Sequence, residues 1–136
     1  MKNILFVMLL TSFSILYSCE KDNQKVEIIA EQIQGSWELK TTVNGSTGKS
    51  ENFPKGNGNI LDFTNLNYKI YSNGTLLKNG TFKIVKEESI LTKEIVDKII
   101  YDNESNSVKI SVKIENEKLV YTVDAFDGPS SIYERK

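Results

Sequence analysis

Val108-Lys109-Ile110-Ser111-Val112-Lys113-Ile114 alternates apolar and polar residues without a break. Successive side chains of a β-strand point to opposite faces, so the four apolar residues share one face and Lys109, Ser111 and Lys113 the other. A helix would scatter the same residues around its circumference. One dry face and one wet face is the pattern of an antiparallel strand lying on a core. Downstream, Glu115-Asn116-Glu117 turns the chain into a strand from Lys118 to Asp124, and Asp127-Gly128-Pro129 turns that into Ser130 to Arg135. Upstream, the polar run Asp102-Asn103-Glu104-Ser105-Asn106 separates this strand from Ile95 to Tyr101.

The same rhythm runs back towards the N-terminus. Ile60 to Phe63 and Asn67 to Ser72 read as short strands, and Asn73-Gly74 is a type I′ hairpin signal because both central residues must reach positive φ. Asn79-Gly80 follows six residues later. Either both pairs are turns flanking a very short strand, or one is a bulge in a strand from Thr75 to Lys86. The long strand is expected, because four residues between tight turns bury little. Trp37, Leu39, Thr41 and Val43 alternate with Glu38, Lys40 and Thr42, a first half-buried strand. Before it, Val26, Ile29, Ala30 and Ile33 fall at helix spacing, with Gly35 as a stop. Residues 44–59 form the one long loop, holding four of the eight glycines and one of the two prolines. About eight antiparallel strands result, enough to close an up-and-down barrel that is either filled or holds one small ligand. The expected class is therefore all-β, an eight-stranded barrel over residues 26–136 with a short N-terminal helix.

The first eighteen residues differ in kind. Twelve of them are apolar, behind a single Lys2. That is the outline of a secretory signal peptide, and it falls short of the ~20 apolar residues of a spanning helix. Leu16-Tyr17-Ser18-Cys19 resembles the bacterial lipobox. The resemblance implies cleavage after residue 18, diacylglycerol on the Cys19 thiol, and acylation of the new amine. It accounts for the lone cysteine, since a thioether cannot be oxidised as a free thiol can. Two or three acyl chains anchor a protein durably, at ~0.8 kcal/mol per buried methylene. Residues 19–25 contain no apolar residue after Cys19 and are expected to serve as a tether. Cys19-Glu20-Lys21-Asp22 looks like the acidic export tag of Bacteroidetes surface lipoproteins, which implies an outer-membrane protein, either surface-exposed or periplasm-facing.

Gly35-Ser36-Trp37 at the first strand and Ser131-Ile132-Tyr133-Glu134-Arg135-Lys136 at the last resemble the two ends of bacterial lipocalin-like lipoproteins, small calycin barrels. Tyr68-Lys69-Ile70-Tyr71-Ser72-Asn73-Gly74 and Gly80-Thr81-Phe82-Lys83-Ile84 look like that family's middle strands. The resemblance implies that Trp37 plugs the closed end and Arg135 stacks on its indole, worth ~0.5–2 kcal/mol. Gly35, Trp37 and Arg135 would then close the barrel.

Composition narrows the chemistry. Without histidine there is no His-based triad or zinc site, and one cysteine allows no internal disulfide. A net charge of −1 with no basic block leaves no footprint for nucleic acid. Asp62, Glu94, Asp97, Asp102, Glu115 and Asp124 are carboxylates at polar strand positions or turns, with no spacing that pairs them for glycosidic chemistry. No calcium loop, phosphate cradle or nucleophile elbow is present. An enzyme, a cofactor and a metal are not expected. A binding protein is: Tyr68, Phe82 and Tyr121 are candidates to line an apolar pocket, and Phe53 and Phe126, in or beside loops, to touch a ligand or partner. Two roles stay open. One is a membrane-anchored module for a small apolar or amphipathic ligand. The other is a filled barrel acting as an inhibitor, adhesin or accessory subunit of an envelope complex.

Overall fold

A computed structural model describes residues 28–104 and 108–136. The expected signal peptide, the lipidated Cys19 and the tether lie outside these residues. Residues 28–32 are helical, and Gly35 (φ 102) follows where the chain turns into the first strand.

Nine strands follow among the described residues: β1 (Gly35–Val43), β2 (Ser50–Asn52), β3 (Ile60–Thr64), β4 (Asn67–Ser72), β5 (Thr75–Glu88), β6 (Ile95–Tyr101), β7 (Ile110–Glu115), β8 (Lys118–Val123) and β9 (Ser130–Arg135). From β3 to β9 each strand pairs antiparallel with the next in sequence, and β9 pairs with β1, so eight strands close an up-and-down barrel. Closure removes the exposed edges that a sheet of this composition would otherwise offer for mispairing. One edge of β1 carries β3 over Gly35–Glu38 and β2 over Thr41–Val43, while β9 runs along the other edge. Sequence reading assigned β2 to the loop. Ser50, Glu51 and Asn52 are all exposed and none is apolar, so the strand has no hydrophobic period to announce it.

The hairpin chemistry is as the sequence indicates. Asn73 (φ 49) and Gly74 (φ 79) connect Ser72 to its partner Thr75. Asn116 (φ 50) and Glu117 (φ 63) connect Glu115 to Lys118. β5 is one long strand, with its irregularity between the pairs Ile70–Lys78 and Tyr71–Leu76, so the extra residue is Leu77 and not Asn79-Gly80. Gly80 serves another purpose. A Cβ there would sit 1.9 Å from Asp102 Oδ1. That carboxylate accepts from the Thr81 amide (2.9 Å) and the Tyr68 hydroxyl (2.7 Å), locking the end of β6 onto β4 and β5.

Val108 departs from the alternation of residues 108–114. It is 65% exposed, because β7 begins only at Ile110 and its ladder to β6 spans Lys98–Ser111 and Ile99–Ile110. Ile110, Val112 and Ile114 do join the core. The core gathers Trp37, Leu61, Phe63, Tyr68, Phe82, Ile99, Val112, Leu119 and Tyr121, with Ile29 and Ile33 of the N-terminal segment packed on it. The long loop is tied down: the Gly56 amide donates to the buried Glu38 carboxylate at 3.0 Å, and the Gly74 amide to the Gly58 carbonyl at 2.9 Å.

Candidate functional site

One end of the barrel is shut. The Trp37 side chain is 1% exposed, and its indole N–H donates to the Ile33 carbonyl at 2.7 Å. The Arg135 guanidinium lies 4.2 Å from the indole centroid. Its Nη1 donates to the Gln34 carbonyl (2.7 Å) and its Nη2 to the Gln32 carbonyl (2.8 Å). These carbonyls end a helical turn and have no partner along the chain, so a fixed fork of donors satisfies two of them while stacking on the plug. Gly35 has room for little else: a Cβ there would lie 3.1 Å from Arg135 Nη1. A larger recess of about 590 Å³ lies against this clamp, lined by Trp37, Ile114 and Arg135 together with Gln32, Asn116, Glu117, Lys118 and Glu134. Its rim carries both signs of charge (Glu117 and Glu134, Lys118 and Arg135) and is mostly exposed, so it suits a group bearing polar or charged atoms better than a wholly apolar one.

The other end is hollow. Where β6 and β8 finish and β3, β7 and β9 begin, a cavity of about 230 Å³ is lined by Leu61, Ile70, Ile110, Val123 and Pro129, with Tyr101, Tyr121, Tyr133 and Ser131. The alternation of β8 and β9 puts these residues there: Tyr121 and Val123 share a face, as do Ser131 and Tyr133, and Tyr121 pairs with Ser131 across the ladder. The Tyr101 and Tyr121 hydroxyls are hydrogen-bonded at 2.9 Å, and the Tyr121 and Tyr133 rings meet edge to face at 5.8 Å. Exposed Pro129 marks the rim.

Burial holds all three phenols neutral. It pushes the Tyr101, Tyr121 and Tyr133 hydroxyls above the ordinary tyrosine range, offset in part for Tyr133 by the Ser131 hydroxyl. A group whose pKa is higher in the folded chain stabilises the fold fully below its unfolded value, and that stability is lost as pH rises from there through the folded value. The urea midpoint is therefore expected to hold to about pH 10 and fall steeply above it. Tyr121→Phe should flatten the fall, and an unchanged alkaline profile in that variant would contradict a dry environment for the phenol.

Of the five aromatic candidates, Tyr121 lines the cavity. Tyr68 and Phe82 lie in the packed core, Tyr68 with its ring 4.4 Å from that of Tyr101 and Phe82 edge-on to Phe63 at 5.1 Å. Phe53 is half-buried after β2, its amide bonded to the Lys40 carbonyl, and Phe126 is 83% exposed between β8 and β9. The cavity wall is mostly aliphatic, and none of those aliphatic residues is among the contact residues expected from sequence. Extending the β7 alternation across to β8 and β9 is the signal that would have found Val123 and Ser131.

A second polar cluster is structural. Lys98 is 2% exposed, and its Nζ lies 2.7 Å from Asp124 Oδ2 and 2.9 Å from the Glu88 carbonyl. Asp124 also accepts from the Ser89 hydroxyl (2.7 Å) and the Ile90 amide (3.0 Å). Burial alone would raise its pKa. The Lys98 ammonium, the Ile90 amide and the Ser89 hydroxyl outweigh burial and hold the carboxyl well below the usual range. A carboxylate so fully engaged has no lone pair placed for proton transfer. Most of the other carboxylates considered from sequence have partners: Asp62 the Ser36 hydroxyl (2.6 Å), Asp102 Lys78 (3.2 Å) and Glu115 Lys113 (2.8 Å), while Asp97 Oδ1 has Lys86 Nζ at 3.3 Å but, buried, no hydrogen bond. Among the described residues, no three His, Cys, Asp or Glu side chains gather as a metal site, and no helix is long and apolar enough to cross a membrane.

No protein-family model matches the chain, and comparison with curated proteins and with solved structures gives no match. The class of the protein is set by its fold: an all-β, closed eight-stranded antiparallel barrel with a short helix.

Proposed function

We propose that this chain is a membrane-anchored, lipocalin-like lipoprotein whose barrel mouth binds a small apolar or amphipathic molecule. The observation that carries the reading is the cavity of about 230 Å³ at the end opposite Trp37. It opens at the barrel mouth and has room for about eight waters at liquid density. Its walls are aliphatic with a few hydroxyls, the composition of a pocket that holds an apolar body and orients one polar group. The leader and Cys19 supply the anchor, by their resemblance to a lipobox. The outer membrane is its expected place, whichever face it occupies.

Two experiments test this. A panel of single-ring and short-chain compounds, titrated calorimetrically into the full chain in phosphatidylcholine nanodiscs with empty discs as blank, should give saturable binding. Ser131→Leu, which puts an isobutyl group into the space, should weaken it by at least about tenfold. No binding by any compound defeats the ligand reading. For the anchor, Cys19→Ala should abolish both the acyl mass and membrane fractionation, and a variant still in the membrane fraction defeats the lipoprotein reading. An interaction module is the second reading, favoured by Phe126 at 83% exposure. It gains if the panel fails and Phe126→Ser releases an envelope protein that co-purifies with the unaltered chain.

A further inference from the structure

We propose that the mouth of the barrel selects an uncharged molecule of about the size of one substituted aromatic ring, carrying a hydrogen-bond acceptor, and excludes carboxylates. The inference rests on the ligand reading above and specifies its chemistry. Size comes first. The cavity of about 230 Å³ is about half as large again as the ~150 Å³ apolar cavity that takes benzene. A ring with a two- or three-atom substituent fills this space, whereas most of a long acyl chain would lie outside the mouth, in water.

Charge comes second. None of the lining residues is ionised: the wall is aliphatic apart from three tyrosines and Ser131. A carboxylate entering would shed its water with no ammonium or guanidinium in the wall to replace it, which is costly. The tyrosines offer no remedy, because each is held neutral by its own burial.

Donor arithmetic comes third. Tyr101 and Tyr121 hydroxyls bring two hydrogens, and their mutual bond of 2.9 Å consumes one. Ser131 and Tyr133 form a second hydroxyl pair in the same wall, so each pair keeps one O–H hydrogen beyond its mutual bond and the wall offers neutral donors only. A carbonyl or ether oxygen can take one, whereas a hydrocarbon leaves them unused.

Acetophenone, ethylbenzene and benzoate share one ring and differ in these terms. Calorimetry at pH 7, with the full chain in phosphatidylcholine nanodiscs and empty discs as blank, should rank acetophenone about five- to tenfold tighter than ethylbenzene. Benzoate should be at least about a hundredfold weaker than acetophenone. In the Tyr101→Phe/Tyr121→Phe variant, the preference for acetophenone over ethylbenzene should shrink by at least about threefold, and ethylbenzene should keep its affinity to within about twofold. The conservative replacement keeps both rings, and retained ethylbenzene binding certifies the fold of the cavity. Benzoate binding as tightly as acetophenone, or a tyrosine pair whose removal leaves that preference unchanged, overturns the selectivity while leaving a ligand site in place. Failure of all three compounds together with the wider panel removes the ligand site itself.

Discussion

Trp37→Ala is expected to destabilise the barrel by about 3–5 kcal/mol, the usual cost of deleting a fully buried large aromatic side chain. Against a typical total of about 5–15 kcal/mol, this brings a domain of this size close to unfolding. Three losses add. The indole is 1% exposed and belongs to the same core cluster as Ile29 and Ile33 of the N-terminal segment, so its removal opens a void in that core. The Ile33 carbonyl loses its donor at 2.7 Å in a buried place. The Arg135 guanidinium loses the ring beneath it at 4.2 Å. Trp37→Phe separates these, since it restores most of the ring but not the N–H, and should fall between the parent and Trp37→Ala. Urea midpoints followed by far-ultraviolet circular dichroism measure the series. A cost below about 1 kcal/mol for Trp37→Ala would mean that the closed end is held by something other than its plug.

How much of this was legible in the sequence follows from where the information lies. β6 and β9 have the bounds that the sequence indicates, because polar turn residues lie beside each: Asp102-Asn103-Glu104 after β6 and Asp127-Gly128-Pro129 before β9. β2 was hidden because it buries nothing and exists by filling the stretch of β1 edge that β3 leaves open. The bulge at Leu77 was misplaced onto Asn79-Gly80 because glycine marks close approach as well as irregularity; here the approach is that of Asp102. The closed end was readable only through the Gly-x-Trp and late-arginine resemblance, since nothing in local spacing brings Arg135 to the carbonyl of Gln34. At the mouth, aromatic side chains drew attention from the aliphatic ones. Leu61, Ile70, Ile110 and Val123 read as ordinary inward strand residues, and whether such residues touch one another or line a space depends on the barrel's taper, which alternation does not encode.

The Lys98–Asp124 pair is the other element that sequence could not show, and it carries the second large effect. Asp124→Asn is expected to cost about 3–5 kcal/mol, because it strands the Lys98 ammonium at 2% exposure with the Glu88 carbonyl at 2.9 Å and the Glu87 carboxylate no nearer than 3.7 Å. Lys98→Met should cost a similar amount by stranding the carboxylate. The paired variant Lys98→Met/Asp124→Leu should recover most of the loss, since two hydrophobic side chains avoid the desolvation that two charges incur. Ser89 and the Ile90 amide would still lose their acceptor, so recovery is expected to be incomplete by about 1–2 kcal/mol. The pH dependence has a definite sign. Asp124 has a lowered pKa in the folded chain, so its contribution is fully present above its unfolded value near 3.9 and is lost as pH falls through the folded value. In that window the unfolded chain binds a proton that the folded chain refuses, and stability rises with pH. Glu87, lowered mainly by its hydrogen bond to Lys109, and Asp102, lowered mainly by the Tyr68 hydroxyl, add acid sensitivity of their own. The comparison that isolates Asp124 is therefore the parent against the paired variant below pH 4, where the parent should lose stability more steeply by about one proton. Identical acid slopes would show that Asp124 is not the depressed carboxylate that the Lys98, Ser89 and Ile90 contacts make it.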